Sequence, residues 1–371
     1  MEQSIYCSMI HGGLNLDLKG SSAQAQECCL RKSLVDVDIS TNFWNNEKFI
    51  PLRKLNLDNQ WAPQCNNCNY LEQSGHTSFR IGANDGLGIY GKTNLSGPVR
   101  IDLMFDISCN LACRTCGAHS STYWQKHLKE HGMWNMPVFT PRSKNEVIKA
   151  LSNLDLSNLR MLVFCGGETL LGQEYWDVAE WVVNNIPNAK QDLTLCFQTN
   201  GTQSIHPRNF KTVEKCFLIK LHVSLDGIEK QFEYLRWPAS WSDVVQNLNK
   251  LKDTAPSNVM FLIEETVSIF NLATSGRLDA WAQDNFSTNR EGDIINHTKH
   301  LATGTFGLHA LSSEYVESLN STLSNLIPKN FKEDYNAIRR ALAEIQKFDL
   351  LRNQSFDEIF PEAAQHYSRF R

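Results

Sequence analysis

The chain has 371 residues, which is enough for one barrel-sized domain and a smaller one. With 42% hydrophobic and 20% charged residues it has a globular composition, and its net charge of −4 argues against binding to nucleic acid or a membrane surface. Because the sequence contains neither a bilayer-length apolar stretch nor a basic start followed by an apolar core, we expect a cytoplasmic protein.

Residues 1–90 predict a small cysteine-rich domain, because glycine and asparagine pairs interrupt any regular pattern. Eleven cysteines in a large chain without a signal peptide indicate metal binding rather than disulfides. A C-x2-C turn in this segment could bring two thiolates to one metal, and upstream cysteines would complete the set. The four candidate ligands are Cys7, Cys28, Cys65 and Cys68. Cys29 could replace Cys28, and the spacing fits zinc as well as an iron–sulfur cluster.

The next predicted strand, residues 99–105, leads into three closely spaced cysteines, Cys109, Cys113 and Cys116. Their C-x3-C-x2-C spacing supplies three thiolates, one fewer than a [4Fe–4S] cluster normally takes. Three ligands without a fourth leave one iron open, and an open position distinguishes a catalytic metal site from a structural one. The alternatives are half of a zinc site or buried thiols that only pack.

Three later predicted strands end in polar motifs and alternate with helices predicted at 146–154, 175–185 and 241–252. The motifs are Gly166-Gly167-Glu168, Thr199-Asn200-Gly201 and Ser224-Leu225-Asp226-Gly227, with Arg236 following the last of them. The alternation predicts an α/β fold with a parallel sheet, here a partial (β/α)6 barrel of the TIM type over residues 98–300. A helical extension, residues 301–371, follows the barrel. Chemistry in such barrels lies at the carboxyl ends of the strands, where these motifs stand.

The three-cysteine loop and the later motifs together resemble the radical SAM superfamily. The resemblance implies that the loop holds a [4Fe–4S] cluster, whose open iron is chelated by the amine and carboxylate of S-adenosylmethionine. It implies that Gly166, Gly167 and Glu168 bind the methionine amino group. The residues that would hold the ribose and carboxylate are Thr199, Asn200, Ser224, Asp226 and Arg236, and Asn271 is a candidate for an adenine contact. Thr115 departs from the pattern, because many members have an aromatic residue before the third cysteine.

The cysteines of residues 1–90 resemble a twitch or SPASM-type domain, which carries auxiliary [4Fe–4S] clusters in relatives. Glu72, Gly75, Ser78 and Arg80 resemble the stretch after the C-x2-C turn in a twitch-domain subgroup. Here the segment precedes the barrel, whereas most characterised SPASM enzymes carry it at the C-terminal side. Five upstream cysteines suffice for one auxiliary cluster and are too few for two, so the resemblance implies one.

The resemblance further implies an oxidoreductase-type enzyme served by a low-potential electron donor of the flavodoxin or ferredoxin type. Reductive cleavage of S-adenosylmethionine would give methionine and a 5′-deoxyadenosyl radical, which removes hydrogen from the substrate. An auxiliary cluster favours net oxidation, such as dehydrogenation or crosslinking of a peptide or protein side chain. The alternatives are a small-molecule substrate, such as a sugar or nucleotide, and a zinc-stabilised cysteine-rich interaction protein. His119 and His222 are further acid–base candidates.

Overall fold

Strands and helices alternate along most of the chain in the computed structural model. The structure describes residues 4–20, 22–30, 34–73, 77–137, 139–187, 189–286, 297–302, 304–324, 326–327 and 331–370. Its strands are β1 (Gly13–Asp17), β2 (Gln24–Gln26), β3 (Val35–Asp36), β4 (Arg100–Met104), β5 (Met161–Cys165), β6 (Thr194–Thr199), β7 (Leu218–Ser224), β8 (Val259–Val267) and β9 (His297–Leu301).

The α-helices in the same residues vary from one turn to five. They are α1 (Ser8–Gly12), α2 (Ile50–Leu57), α3 (Asn66–Gln73), α4 (Phe79–Leu87), α5 (Thr122–Glu130), α6 (Lys144–Ser152), α7 (Glu174–Asn185), α8 (Ala189–Asp192), α9 (Phe210–Val213), α10 (Glu229–Leu235), α11 (Trp241–Thr254), α12 (Ser275–Phe286), α13 (Ser313–Ser318), α14 (Ser321–Ser324), α15 (Tyr335–Arg352), α16 (Phe356–Ile359) and α17 (Pro361–Ala364). No helix within the described ranges is long and apolar enough to cross a membrane.

The four strands and three helices predicted after residue 98 are confirmed as β4 to β7, α6, α7 and α11. Local chemistry explains where the helices begin. The Ser143 side chain accepts from the N–H of Glu146 while the Glu146 carboxylate accepts from the N–H of Ser143, which forms a capping box at the start of α6. At the start of α11, the Ser240 hydroxyl accepts from the N–H of Asp243.

The chain divides into two compact units, of which the first comprises Met1–Ser108, Met136–Gln198 and Ile205–Lys220. Its strands follow the order β3-β2-β1-β4-β5-β6. Neighbouring strands from β1 through β4 and β5 to β6 are parallel, whereas β2 is antiparallel to both β1 and β3. The predicted α/β class with a mostly parallel sheet is therefore confirmed.

Strands β1 to β3 were missed by the sequence-based prediction, because two of them have only two or three residues and β1 starts with glycine. They belong to the same sheet as β4. The bounds of the two compact units differ from those of the predicted segments 1–90, 98–300 and 301–371. The predicted segments describe functional domains and stay a prediction.

The second unit comprises Cys109–Asn135, Thr199–Ser204 and Leu221–Arg371. Strands β8 and β9 pair in parallel, and the large apolar core includes Tyr234 and Phe270. Helix α15 starts where the Asp334 side chain accepts from the N–H of Ala337, and it ends at Asn353 in the left-handed conformation. This helix carries Phe348, Asp349 and Arg352, which contact the cysteine loop or residues packed against it.

Candidate active site

Backbone hydrogen bonds to another segment fix the conformation of the cysteine loop, residues 109–116, in the second unit. The N–H of Ala112 donates to the carbonyl of Trp237 at 2.8 Å, and the N–H of Arg114 donates to the carbonyl of Leu235 at 2.7 Å. These two bonds join the middle of the loop to the end of α10 and to the turn that follows it. The loop therefore presents its cysteines from a fixed backbone, as a ligand-binding loop must.

The three thiols of this loop differ in burial. Cys113 is buried, Cys109 is half-buried and Cys116 is exposed. Burial raises the pKa of the Cys113 thiol, the positive charge of Arg236 opposes this effect, and the other two thiols add to it. Although Cys116 reaches the surface, the protein atoms around its thiol desolvate it and raise its pKa, and the charge of Arg236 opposes this effect. The structure therefore brings all three predicted thiols together with Arg236 in one electrostatic neighbourhood.

Asn200, at the end of β6, links that strand end to the cysteine loop. Its side-chain amide donates to Asn110 Oδ1 at 3.0 Å and lies 3.9 Å from the Sγ of Cys109. Its carbonyl oxygen accepts from the N–H of Thr202 at 2.9 Å. Thr199, directly before it, accepts from the N–H of Gly201 at 3.1 Å. Both predicted residues of this motif therefore shape the turn next to Cys109. The sequence-based prediction missed Asn110, and its polar side chain inside the cysteine loop was the available signal.

Asp226 and Arg236 form a buried ion pair, with Nη2 2.9 Å from Oδ2. The other oxygen of Asp226 accepts from the N–H of Thr266 at 2.8 Å, so this carboxylate joins the end of β7 to β8. Arg236 Nε is buried with no hydrogen-bond partner among the described residues. The Nε of Arg236 is thus available to a further acceptor, and Asp226 holds the Arg236 side chain in position. Ser224 is half-buried at the end of β7.

Asn271 has its amide engaged within the protein. Its Nδ2 donates to the carbonyl of Asp226 at 2.9 Å, and its Oδ1 accepts from the N–H and hydroxyl of Ser268 at 2.8 and 2.9 Å. The side chain is also almost fully buried. These bonds tie the turn after β8 to the end of β7, and they give no support to an adenine contact.

The Gly166-Gly167-Glu168 motif lies in the first unit, directly after β5. A Cβ at Gly166 would lie 2.2 Å from the carbonyl oxygen of Asp106, and one at Gly167 would lie 2.2 Å from that of Ser108. The N–H of Glu168 donates to the same Ser108 oxygen at 2.8 Å. The two glycines are therefore required by close packing against the backbone that leads into Cys109. The Glu168 side chain is buried, and its Oε1 accepts from the N–H of Leu170 at 2.9 Å.

A second group of thiols shares one cavity in the first unit. The cavity is lined by all four predicted auxiliary ligands, Cys7, Cys28, Cys65 and Cys68. The charge on Cys68 acts on the pKa of Cys7, and the charge on Cys7 acts on that of Cys28. Cys29 does not line this cavity; its thiol contacts that of Cys28 and lies near Arg100 and Asp102. The lining of the cavity favours Cys28 as a ligand, and the choice between the two adjacent cysteines stays a prediction.

Arg80 lines the same cavity and makes a two-pronged pair with Glu72. Its Nε and Nη2 donate to the two carboxylate oxygens at 2.9 and 2.5 Å, and its Nη1 donates to the carbonyl of Tyr6 at 2.7 Å. Ser78 donates to the same carboxylate at 2.5 Å. These three predicted residues thus act together and bring a guanidinium close to Cys7, whereas Gly75 lies outside the described residues.

Whether the two cysteine groups suit iron–sulfur clusters depends on the number of thiols and on the charged residues near them. In the described ranges, no three His, Cys, Asp or Glu side chains are arranged to hold a single metal ion. The three-thiol loop combines a buried cation that has a spare donor with soft sulfur ligands, which suits an iron–sulfur cluster carrying a carboxylate ligand. The four-thiol cavity has the ligand number that a closed cluster requires.

His222, on β7, contacts Glu264, on β8. His222 Nδ1 lies 2.5 Å from Oε1 of Glu264, and His300 Nε2 lies 3.8 Å from its Oε2. Burial opposes ionisation of Glu264, but hydrogen bonds from the two histidines lower its pKa to about 2. His119 lies near Gly117 and has no comparable carboxylate partner in the contacts of the described residues.

Polar and charged side chains at the carboxyl ends of parallel strands are typical of enzyme sites in α/β folds. Residues 107–270 match the family model of the radical SAM superfamily. This segment contains the three-cysteine loop and each of the polar motifs at the strand ends. This match covers under half of the chain and supports the prediction of a radical SAM enzyme. No curated protein matches the chain.

Among solved structures, the chain is similar to native anSMEcpe with bound AdoMet, at 17% identity and a TM-score of 0.40, over 68% of this chain and 62% of that one. It is also similar to Streptococcus suis SuiB bound to S-adenosylmethionine, at 13% identity and a TM-score of 0.39, over 94% and 74% of the two chains. SuiB bound to the precursor peptide SuiA gives 11% identity and a TM-score of 0.39, over 96% and 74%. The chain therefore spans less than two thirds of the length of the anSMEcpe structure.

Proposed function

We propose that this protein cleaves S-adenosylmethionine reductively and uses the resulting radical to oxidise a peptide or protein side chain. The observation that carries the proposal is the cysteine loop, in which three thiols share their surroundings with the spare donor of Arg236. When bound, the cluster and S-adenosylmethionine supply one-electron cleavage to methionine and a 5′-deoxyadenosyl radical. The residues themselves bind, orient and exclude water.

Each strand-end motif receives a role in this proposal. Arg236, held by Asp226, offers its remaining N–H groups to the carboxylate of S-adenosylmethionine, since a guanidinium binds a carboxylate through parallel hydrogen bonds. Glu168 accepts from the methionine ammonium group. Thr199, Asn200 and Ser224 lie at the ends of β6 and β7, where they would contact the ribose. We assign these elements to a partial (β/α)6 barrel with a helical C-terminal extension.

The four-thiol cavity supports an auxiliary [4Fe–4S] cluster in a twitch or SPASM-like segment, with Cys28 rather than Cys29 as a ligand. Four thiolates would close that cluster to substrate, so it would accept an electron from the substrate radical. This favours dehydrogenation or crosslinking over redox-neutral chemistry. Peptides are proposed as substrates because most relatives with such segments modify peptides. A low-potential flavodoxin or ferredoxin would supply the first electron, which places the protein in a reducing cytoplasm.

The cysteine loop is tested by iron content and S-adenosylmethionine cleavage in anaerobically reconstituted protein. The wild-type protein should be brown, with about eight irons for two four-iron clusters. Cys113→Ala should lose about half of this iron and all formation of 5′-deoxyadenosine with dithionite. The matched control is Cys216→Ala, because Cys216 is a buried thiol outside both cysteine groups. Retained cleavage in Cys113→Ala would show that the loop was assigned wrongly.

The auxiliary site is tested separately. Cys65→Ala should lose about half of the iron, the share of one cluster in two, while it retains uncoupled cleavage of S-adenosylmethionine. Undiminished iron in this variant would remove the auxiliary cluster from the proposal. The substrate class is tested by incubating the holoenzyme with a random peptide library or with sugar and nucleotide mixtures. A mass loss of two hydrogens confined to peptides supports the proposal, and one confined to small molecules contradicts it.

A further inference from the structure

Arg352, the last residue of α15, is a buried cation that no carboxylate of the described residues pairs with. Its side chain belongs to a residue that is 8% exposed, and Nε, Nη1 and Nη2 all lack a hydrogen-bond partner within the described ranges. Its guanidinium carbon lies over the rings of Trp124, Trp237 and Phe348, at 4.6, 4.7 and 5.0 Å from their centroids. We call these three rings the aromatic box. Cation–π contacts stabilise the charge there but do not neutralise it.

The aromatic box is attached to the cysteine loop on both sides of its buried thiol. Trp124 Nε1 donates to the carbonyl of Cys113 at 2.9 Å, and the carbonyl of Trp237 accepts from the N–H of Ala112 at 2.8 Å. Arg352 is therefore two contacts away from Cys113. The charges of Arg352 and Cys113 act on each other. Burial lowers the pKa of Arg352 to about 9, and a charge on Cys113 raises it again in part. At neutral pH the guanidinium remains charged.

The other buried arginines around this loop are neutralised by carboxylates. Arg236 pairs with Asp226 at 2.9 Å, and Arg114 pairs with Asp349 at 2.6 Å. Asp349 lies one turn before Arg352 on α15, but both of its oxygens are engaged elsewhere. Oδ1 also accepts from the hydroxyl of Tyr234 at 2.8 Å, and Oδ2 accepts from the N–H of Phe356 at 2.8 Å. Neither Asp226 nor Asp349 therefore pairs with Arg352.

We propose that Arg352 is a positioning residue for electron transfer, whose buried charge raises the reduction potential of the group held by Cys109, Cys113 and Cys116. The inference rests on the proposed function, because it requires a cluster on that loop. Reduction adds one electron, taken from the low-potential donor, and so adds one negative charge to the cluster. A fixed cation in a low-dielectric environment without water stabilises the reduced cluster more than the oxidised cluster. The aromatic box excludes the water and anions that would screen the charge.

The test is a mediated redox titration of the reconstituted protein, followed by electron paramagnetic resonance. The signal that changes when S-adenosylmethionine is added identifies the cluster of the cysteine loop. Arg352→Met removes the charge and keeps an unbranched side chain among the rings, and it should move the midpoint potential to a more negative value. Arg352→Lys keeps the charge and should restore most of the wild-type potential. Arg340→Gln is the matched control, because Arg340 is an exposed residue of the same helix.

Two results would count against these proposals, and they are distinguishable. An unchanged midpoint in Arg352→Met, with iron content and the responsive signal intact, would overturn the inference and leave Arg352 a packing residue. In that case Arg352→Met would change the urea concentration at which the protein unfolds but not the midpoint potential. Arg352→Gln gives the same comparison if Arg352→Met does not fold. A wild-type protein without any signal that responds to S-adenosylmethionine would instead contradict the proposed function, on which this inference rests.

Discussion

Gly167→Ala provides a sharp test of why the Gly-Gly-Glu motif contains its second glycine. A Cβ at this position would lie 2.2 Å from the oxygen of Ser108 and 2.6 Å from the carbonyl carbon of Ile107. Both atoms belong to the backbone, so no side chain can rotate away to relieve the contact. Overpacking of this kind costs about 1–3 kcal/mol. Because the strained backbone leads directly into Cys109, we expect a loss at the upper end, about 3 kcal/mol.

The assay is urea unfolding of the apoprotein, followed by circular dichroism. Gly167→Ala should lower the unfolding midpoint, whereas the matched control Gly82→Ala should raise it. A Cβ at Gly82, inside α4, would meet no atom within 4 Å in the described chain, and alanine gains about 0.5–1 kcal/mol over glycine in a helix. Equal midpoints for Gly167→Ala and the wild-type protein would refute the packing argument. The motif would then require glycine only for ligand approach.

Three further predictions concern charges and thiols. Asp226→Asn should lower the free energy of unfolding by about 3–5 kcal/mol, because it leaves Arg236 buried without its carboxylate; the double variant Asp226→Asn, Arg236→Met should recover most of this loss in the same urea assay. The Glu264 carboxylate, whose pKa falls to about 2 in the folded protein, should stabilise the fold above pH 4.5 and lose this effect as the pH falls towards 2. Unfolding midpoints between pH 2 and 5 should therefore fall more steeply for the wild-type protein than for Glu264→Gln, and parallel curves would count against the contact. Cys28→Ala should lose about half of the reconstituted iron, one of two clusters, while Cys29→Ala retains it, as measured by iron analysis, because only Cys28 lines the four-thiol cavity; equal losses would exclude that distinction.

Much of the candidate site could be predicted from the sequence because its signals are local. The spacing of the loop cysteines and the polar motifs after apolar stretches depend on neighbouring residues, and the strands that precede these motifs appear as β4 to β7. Caps such as Ser143 with Glu146 likewise depend on a few consecutive residues. Strands β1 to β3 escaped prediction because a strand of two to five residues acquires its stability from the neighbour it pairs with.

The sequence by itself determined the residue types and spacing of both cysteine groups and the resemblance to the radical SAM superfamily. Only the tertiary structure decided which distant groups neutralise one another. The structure shows that Asp226 pairs with Arg236 and that Asn271 joins two strand ends, and the sequence indicated neither contact. Arg352 carries no sequence signal at all, because its importance arises from two tryptophans that contact the cysteine loop from other parts of the chain. Electrostatic partnership depends on distance in space and on burial, and folding alone brings such residues together.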